Sequence, residues 1–235
     1  MNPTAAILLI GDEILSGRTQ DTNGNHLAKR LTEAGIELTE IRVVPDDHAV
    51  IVAAINALRA RATYVFTSGG IGPTHDDITA DAVAAAFGVA ISVRDDARAI
   101  LATNYANPND LNESRLRMAR IPDGATLIDN PISKAPGFSI KNVHVMAGVP
   151  VIFEAMVAGL LPTLTGGSPL KSISVRVKQA EGQIAEPLAK IAAQFPDVSI
   201  GSYPFQTDGV FGTNIVARST RSDILATVEA KLLAL

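Results

Sequence analysis

The chain has 235 residues, enough for one large domain or two smaller ones with a substantial buried core. Its formal charge of −4 and isoelectric point near 5.6 argue against a general nucleic-acid-binding surface. The absence of cysteine excludes disulfides, thiolate metal sites and cysteine nucleophiles. No apolar run reaches the about 18 residues of a membrane span, and no basic segment precedes the first run as in a signal peptide. We therefore expect a cytoplasmic protein.

The first predicted element is a strand at residues 6–10, which is apolar throughout, as in a parallel sheet that is covered on both faces. It leads into residues 11–17, Gly-Asp-Glu-Ile-Leu-Ser-Gly. Ligands of open α/β sheets bind at the carboxyl ends of the strands. Asp12 and Glu13 are therefore candidates for metal or ribose contacts, with ordinary turn acids as the alternative. Asp21, Thr22 or Asn23 caps the next predicted helix.

A second strand is predicted at residues 37–44, and it also ends in a pair of acids, Asp46 and Asp47. A helix with an apolar stripe follows them. One of the two acids is expected to be the N-cap of that helix, which leaves the other free to face the next loop. His48 and His75 are interpreted as incidental surface residues rather than metal ligands.

The stretch from Thr67 to Thr79 is the centre of the predicted site. It follows a short buried strand at residues 64–66 and precedes an alanine-rich helix predicted at residues 81–87. Three of its residues are glycines, which permit positive φ and let a ligand approach the backbone. These glycines are Gly69, Gly70 and Gly72.

Two adjacent acids, Asp76 and Asp77, lie at the end of this glycine-rich stretch. The first N–H groups of the following helix lack intrahelical partners and favour an anion. Glycines, a helix N-terminus and paired acids together indicate a phosphate and a divalent cation held side by side. The alternative is a simple strand-to-helix turn in which Asp77 or Thr79 is the N-cap.

The segment after residue 88 is more polar. A helix is predicted at residues 93–105, a break at residues 107–110 and a short helix at residues 112–119. Arg115, Arg117 and Arg120 give this segment the densest positive charge in the chain. They form either a phosphate clamp or a solvated helix face, and both interpretations remain open.

A strand at residues 125–128 and a hairpin of residues 138–140 and 143–146 follow, and Lys134 in the loop between them is a candidate to line the site. Gly148 and Pro150 repeat the pattern of strand, glycine loop and helix start. A linker at residues 163–169 precedes a β-α-β-β-α pattern, which predicts a small α+β unit with an antiparallel sheet. Asp208 in that unit is a candidate to border a cleft. The predicted domains are residues 1–166 and 171–235.

Taken together, the motifs resemble a known family. They are Gly11-Asp12-Glu13-Ile14-Leu15-Ser16-Gly17, Thr22-Asn23, Pro45-Asp46, Gly69-Gly70-Ile71-Gly72-Pro73-Thr74-His75-Asp76-Asp77 and Gly148-Val149-Pro150. They look like the molybdopterin-binding MoaB/Mog fold. More narrowly, they resemble the amino-terminal domain type of competence/damage-inducible protein A (CinA), here as a stand-alone domain, and a domain of FAD synthase.

This resemblance implies an α/β fold with three layers around a mostly parallel sheet, followed by the smaller α+β unit. The implied catalytic residues are Asp77, Asp46 and Glu13. The implied metal ligands are Asp77, Asp76, Asp46 and Asp12. The implied substrate- and phosphate-binding residues are Gly69, Gly70, Gly72, Pro73, Thr74, Gly11, Ser16, Asn23, Gly148 and Pro150.

The resemblance also implies a divalent metal such as Mg²⁺, helped by K⁺, a nucleotide or pterin as the small-molecule ligand, and a homo-oligomer, either dimer or trimer. Neither a nucleic acid nor a membrane is an expected partner. Mog-type loops usually place a threonine and basic residues where this sequence has Ile71 and His75-Asp76, which favours the CinA-type branch.

Three functions remain open from the sequence. The leading hypothesis is metal-dependent hydrolysis of a dinucleotide pyrophosphate such as ADP-ribose or FAD, with Glu13 or Glu154 as the base. The second is adenylyl transfer onto molybdopterin, as in molybdenum cofactor biosynthesis. The third is a binding module that holds a nucleotide or pterin without turnover.

Overall fold

The computed structural model describes residues 2–107, 110–207 and 209–235. Clustering of contacts divides the chain into two compact units, Met1–Gly167 and Ser168–Leu235. Part of the predicted break at residues 107–110 and the candidate Asp208 lie outside the described residues. Within them, no helix combines the length and apolar character that crossing a membrane requires.

The first unit is built on a single large sheet. Its strands are β1 (Thr4–Ile10), β2 (Glu37–Val44), β3 (Tyr64–Ser68), β4 (Ile91–Val93), β5 (Arg120–Pro122), β6 (Thr126–Ile128), β7 (Gly137–Ile140) and β8 (Val143–Met146). Six of them form the sheet, in the order β2-β1-β3-β8-β7-β6. The first four in that order run parallel, whereas β7 and β6 continue the sheet antiparallel, and β4 and β5 pair with each other separately.

Helices cover both faces of this sheet. They are α1 (Asp12–Leu15), α2 (Asn23–Glu33), α3 (His48–Arg59), α4 (Thr79–Phe87), α5 (Asp95–Ala102), α6 (Glu113–Leu116) and α7 (Pro150–Leu160). Ala6, Leu8 and Ile10 of β1 pack into one apolar cluster with α3 and α4. The alternate residues of β1 pack into a second cluster with α2 and α7. The predicted three-layer α/β architecture is therefore confirmed, and burial on both faces explains why β1 is apolar throughout.

Two predicted elements of the first unit are wrong at their boundaries. Residue 93 belongs to β4, where Val93 pairs with Arg120, so the helix predicted from it begins only at Asp95. The helix predicted from Asp81 begins at Thr79, whose amide donates to the Gly70 carbonyl at 3.0 Å. β4 has only three residues, which are too few to show a periodic pattern.

The second unit has the predicted β-α-β-β-α order. Its elements are β9 (Lys171–Val177), α8 (Glu181–Gln194), β10 (Ser199–Thr207), β11 (Val210–Ser219) and α9 (Ser222–Leu232). The strands form an antiparallel sheet in the order β10-β11-β9, and both helices pack into its apolar cluster. Pro187 lies inside α8, which begins at Glu181 and continues to Gln194. Pro187 is exposed, so water can bond the carbonyl that its missing N–H leaves free.

Candidate functional site

A cavity of about 420 Å³ lies at the carboxyl ends of β1, β2, β3 and β8. In a parallel sheet these ends meet at one edge, where ligands of open α/β folds bind. The predicted site residues in its wall are Gly11, Glu13, Asp46, Gly69, Gly70, Gly72, Pro73, Asp76, Asp77 and Gly148. We call it the ligand cavity. Its volume falls within the usual range for small-molecule sites, about 300 to 1,000 Å³.

The other predicted site residues do not line the ligand cavity. Asp12 and Ser16 line a neighbouring cavity of about 610 Å³, which shares three acidic side chains with the first. Neither wall includes Thr74, Asn23 or Pro150.

The glycine-rich loop after β3 needs its glycines for two different reasons. Gly69 and Gly70 have φ of 107° and 69°, which side-chain-bearing residues rarely adopt. Gly72 does not have a positive φ. A Cβ at this position would lie 2.6 Å from Oδ2 of Asp77, so any side chain here would displace that carboxylate.

Three consecutive backbone amides of this loop have no hydrogen-bond partner among the described residues. They belong to Gly70, Ile71 and Gly72, all of which line the ligand cavity. Successive free N–H groups that include a left-handed residue form a concave anion-binding nest. These three amides are therefore candidate donors for a phosphate, and they require no basic side chain.

Asp77 closes this loop onto itself. Its Oδ2 accepts hydrogen bonds from the amide of Thr74 at 2.8 Å and from the Thr74 hydroxyl at 2.6 Å. The alternative interpretation, in which Asp77 or Thr79 caps α4, is wrong: Ile78 is the N-cap, without a side-chain bond. Thr79 is fully buried and donates its hydroxyl to the Gly69 carbonyl at 3.0 Å, so it anchors the loop instead.

The start of α4 is not part of the ligand-cavity wall, contrary to the predicted helix N-terminal anion site. The start of α7 lies there instead, since Gly148, Val149 and Ile152 line the cavity. Pro150 occupies the first turn of α7, as predicted. Because α7 is 11 residues long, its N-terminal dipole adds positive potential at this wall.

The two acids after β2 have separate roles. Asp47 is the N-cap of α3 and accepts from the amide of Val50 at 2.9 Å. Asp46 faces the ligand cavity and accepts from the amide of Asp12 at 3.0 Å. The sequence predicted this division of roles without assigning which acid took which.

The carboxyl group of Asp46 lies in a negative potential. Burial raises its pKa above the ordinary value, opposed by the hydrogen bond from the Asp12 amide. The nearby charges of Asp12, Glu13 and Asp76 raise the pKa further. Negative charges that raise the pKa of the Asp46 carboxyl favour the arrival of a cation or a proton there.

Asn23 does not line either cavity; it holds two of the surrounding loops together. It is 6% exposed, and its Nδ2 donates to the Ser68 hydroxyl at 2.8 Å and to the Gly148 carbonyl at 2.7 Å. It thereby joins the end of β3 to the loop after β8. The prediction that Asn23 binds substrate directly finds no cavity contact in the structure.

Of the two interpretations of the three arginines, the phosphate clamp finds no support at the ligand cavity, whose wall contains none of them. Arg120 makes a bidentate ion pair with Asp81, with N···O distances of 2.7 and 2.6 Å. Arg115 donates to the Asp110 carbonyl at 2.5 Å and stacks on a tyrosine ring. Arg117 donates to the Asp77 carbonyl at 3.2 Å and so supports the loop from behind.

Among the described residues, no lysine, arginine or histidine lines the ligand cavity. Lys134, a candidate to line the site, is not part of this wall. It lies in a loop, where its φ is 57°. Glu154, a proposed base, lies 3.8 Å from a ring nitrogen of His26 and is not part of the wall. The charged side chains in the wall are therefore four carboxylates, those of Glu13, Asp46, Asp76 and Asp77.

Sequence reasoning missed the apolar part of the wall and one polar corner. The apolar part consists of Ile10, Ile71, Met118, Ala135, Ala147, Val149 and Ile152. The polar corner is Asn130 and Ser133, where Asn130 is 1% exposed and bonds its own loop through both amide atoms. Met118 precedes β5 and shows no periodic signal, so only the tertiary fold reveals it.

Comparison with known proteins gives the family. Residues 6–166 match the model described as a probable molybdopterin binding domain, and residues 169–235 match the FAD synthase middle domain. The chain belongs to the probable molybdopterin-binding domain family. A crystal structure of CinA, of unknown function, from Thermoplasma acidophilum is 34% identical, with a TM-score of 0.65 over 68% of this chain and 97% of that one.

Curated relatives agree with this placement. A protein of Archaeoglobus fulgidus is 33% identical, and the alignment covers 84% of each chain. A CinA-like protein of Citrifermentans bemidjiense is 40% identical over 68% of this chain but 40% of its own length. The first unit is thus a MoaB/Mog-fold domain of CinA type, and this chain spans less than half of that CinA-like relative.

The divalent cation that the CinA-type resemblance implies can be tested against the donors present. Carboxylate oxygens are hard ligands of the kind that Mg²⁺ prefers. Within residues 2–107, 110–207 and 209–235, no three acidic or histidine side chains converge as a metal-binding group. Mg²⁺ is usually held by one or two carboxylates plus substrate phosphates and water, so the four wall carboxylates fit an ion that arrives with its substrate.

Proposed function

We propose that this chain hydrolyses the pyrophosphate bond of a dinucleotide-type substrate such as ADP-ribose or FAD with the help of a divalent cation. One observation carries the proposal: the free amides of Gly70, Ile71 and Gly72 share a cavity with four carboxylates and no basic side chain. The amides suit a phosphate, whereas the carboxylates repel one. A cation between them resolves this conflict, which favours a metal-bound phosphate ester.

Asp46 would hold the cation, with Asp76 or Asp77 completing the set. When bound, the cation would neutralise charge on the attacked phosphate and lower the pKa of a water molecule. The amide nest would hold the other phosphate and fix the line of attack. The apolar wall at Ile71, Met118 and Ile152 would take a ring of the substrate.

Hydrolysis requires one water and one proton acceptor. The water oxygen bonds to one phosphorus, and the bond from that phosphorus to the bridging oxygen breaks. The departing phosphate monoester keeps the bonding electrons, and a carboxylate of the wall accepts the water's proton. With ADP-ribose the products are AMP and ribose 5-phosphate. Glu13 is the proposed acceptor because it lines both adjoining cavities.

The chain offers a matched pair of variants for the test. Asp46→Asn removes a wall carboxylate, whereas Asp47→Asn makes the same change one residue away, at the cap of α3, where asparagine also caps well. ADP-ribose, FAD, NAD and CoA are each incubated with Mg²⁺, Mn²⁺ or EDTA, with and without K⁺, and the products are separated by chromatography. We expect cleavage with metal that falls about a hundredfold in Asp46→Asn and persists in Asp47→Asn.

The outcome decides the proposal. Metal-independent cleavage, or equal rates in the two variants, would refute the role given to Asp46. Tight binding of ADP-ribose with no product under any metal would favour the binding-only alternative.

A second candidate, adenylyl transfer onto molybdopterin, is favoured by one finding, the family match itself. The same amide nest would hold the pterin phosphate, and the metal would accompany ATP. Incubation with molybdopterin, ATP and Mg²⁺ separates the two functions. AMP attached to the pterin would favour transfer, whereas ATP left intact while ADP-ribose is cleaved would favour hydrolysis.

The assembly state is also a proposal: we expect a homo-oligomer, either dimer or trimer. Light scattering of the purified chain, whose mass is 24.6 kDa, would distinguish these states from a monomer. A concentration-independent mass near one chain would overturn this expectation.

A further inference from the structure

The large sheet of the first unit is open along one side of β2. This strand is the last in the sheet order and pairs with β1 on its inner side. Among the described residues, no group bonds the main chain of residues 38–43 from the outer side. A strand with free N–H and C=O groups along one side is a template for pairing with another strand. We call the outer side of β2, with the adjoining flank of α3, the β2 edge.

Exposed apolar side chains lie on both faces of the β2 edge. Ile41 is 48% exposed and pairs with Ile7, so it lies on the face of the sheet that α2 covers. On the opposite face, a groove of about 550 Å³ lies between β2 and α3. The exposed apolar residues of its wall are Val50 and three alanines at helical spacing, Ala49, Ala53 and Ala57.

Two opposite charges occupy the middle of β2. Arg42 contacts Oε1 of Glu40 through Nε at 2.8 Å and through a terminal nitrogen at 2.7 Å, so both side chains lie on one face of the strand. They remain accessible, with 27% of the Glu40 side chain and 32% of the Arg42 side chain exposed. Ile41 lies between them. A second β2 that runs antiparallel about Ile41 therefore brings each Glu40 opposite an Arg42 of the other copy.

The charges favour this register over the neighbouring ones. Directly opposed residues of an antiparallel pair share a face, so the symmetry axis can lie at Glu40, Ile41 or Arg42. An axis at Glu40 opposes two carboxylates, and an axis at Arg42 opposes two guanidinium groups, and both arrangements are destabilising. Of the three, the axis at Ile41 opposes unlike charges. It also brings the two exposed isoleucines together on the other face.

We propose that the β2 edge is a self-association surface, through which two copies of this chain join their large sheets about a two-fold axis at Ile41. Such a contact uses the same patch on both copies and closes after two, so the assembly is a dimer. Glu40, Ile41 and Arg42 do not line the ligand cavity. The surface is therefore independent of the proposed hydrolysis.

The absence of cysteine from the chain allows a direct test of the register. At the axis, Ile41→Cys faces its own copy at a Cα–Cα distance of about 4.5 to 5.5 Å, which a disulfide can span. Thr39→Cys is the control, because Thr39 is exposed on the same strand. Its copy would lie about 13 Å away, four residues of about 3.3 Å along the strand.

Both cysteine variants of the full chain are treated with a mild oxidant and separated on a non-reducing gel. We expect Ile41→Cys to form a covalent dimer at least about tenfold faster than Thr39→Cys, because only the first pair is within bonding range. Equal rates, or no covalent dimer of Ile41→Cys, would overturn the proposal.

The mass in solution tests the same surface without a covalent bond. Sedimentation equilibrium of the wild type should give a mass near twice 24.6 kDa. Ile41→Asp should weaken the dimer at least about tenfold, since two carboxylates then face each other. Ile132→Asp makes the same change at a residue that is 47% exposed, and it should leave the dimer intact. A wild-type mass of one or three chains, or equal weakening by the two variants, would overturn the proposal.

Exchange of the two charges tests the pairing of Glu40 with Arg42. Arg61 also contacts Glu40 within the chain, so the exchange is made in Arg61→Ala, which serves as the reference. Arg42→Glu should weaken the dimer about tenfold, and the further change Glu40→Arg should restore most of the affinity. No restoration in a folded protein would overturn this register. If the exchanged protein does not fold, the comparison of the two cysteine variants decides.

Discussion

Replacement of His144 by phenylalanine should make the chain less sensitive to acid. The folded-state pKa of His144 is lowered by burial from 6.5 to about 4. The unfolded chain therefore takes up a proton at His144 below about pH 6.5, while the folded chain does so only near pH 4. Stability is consequently lost as the pH falls through this window. The shift, 6.5 minus about 4, is about 2.5 units and corresponds to a loss of about 3 kcal/mol.

The assay is urea unfolding of both proteins at several pH values between 7.5 and 4, followed by circular dichroism. At pH 7.5 the variant is expected to be about 1 kcal/mol less stable, because the Ser139 hydroxyl loses its partner. The gap should then close and reverse as the pH falls, because only the wild type carries the histidine penalty. Carboxylates titrate in both proteins and cancel in the difference. Parallel pH profiles would refute the assignment of a neutral buried imidazole.

Two further predictions concern contacts around the ligand cavity. Gly72→Ala should displace the Asp77 carboxylate, since the new Cβ lies 2.6 Å from Oδ2, and should lower pyrophosphate cleavage more than tenfold with little change in thermal midpoint. Normal cleavage would show that the loop tolerates the displacement. Arg120→Ala should cost about 1 to 3 kcal/mol in urea unfolding, because Asp81 is left partly buried without its bidentate partner. A loss of unfolding free energy below about 0.5 kcal/mol would show that the Arg120–Asp81 pair contributes no more than an ordinary surface ion pair.

The layers of the fold were predictable because hydrophobic pattern alone determines them. An apolar run such as residues 6–10 has to be covered on both faces, and the helical stripe of α3 has to face a sheet. The short strands β4 and β5 were not predictable. β5 exists because Arg120 and its neighbours pair with β4, and pairing between distant segments leaves no local pattern.

The sequence predicted which loops carry the acids of the site, but not which atoms each acid contacts. The strand ends place Asp46, Asp76 and Asp77 at one edge, which follows from parallel topology. The pairing of Arg120 with Asp81 was not evident, because they are 39 residues apart and belong to different elements. The sequence left a phosphate clamp and a solvated helix face open for the three arginines, whereas in the fold each guanidinium makes a structural contact.

Asp77 contributes to the site in two ways, through hydrogen bonds that hold the loop and through its negative charge. Its Oδ2 holds Thr74 through two hydrogen bonds, while the side chain also lines the ligand cavity. Asp77→Ala removes both contributions and cannot separate them. Asp77→Asn keeps an acceptor oxygen for Thr74 and removes only the charge, so it should keep the loop and raise the Mg²⁺ concentration needed for half-maximal cleavage about tenfold.

The measurement is cleavage of ADP-ribose over a Mg²⁺ titration in wild type, Asp77→Asn and Asp77→Ala. Asp77→Ala should lose activity at every metal concentration, because the loop that presents the free amides is no longer closed. Asp77→Asn should regain nearly full activity at high Mg²⁺, as expected when one of several weak carboxylate ligands is removed. A wild-type Mg²⁺ dependence in Asp77→Asn would remove Asp77 from the cation's ligands. It would leave Asp46 and Asp76 as the carboxylates that hold the ion.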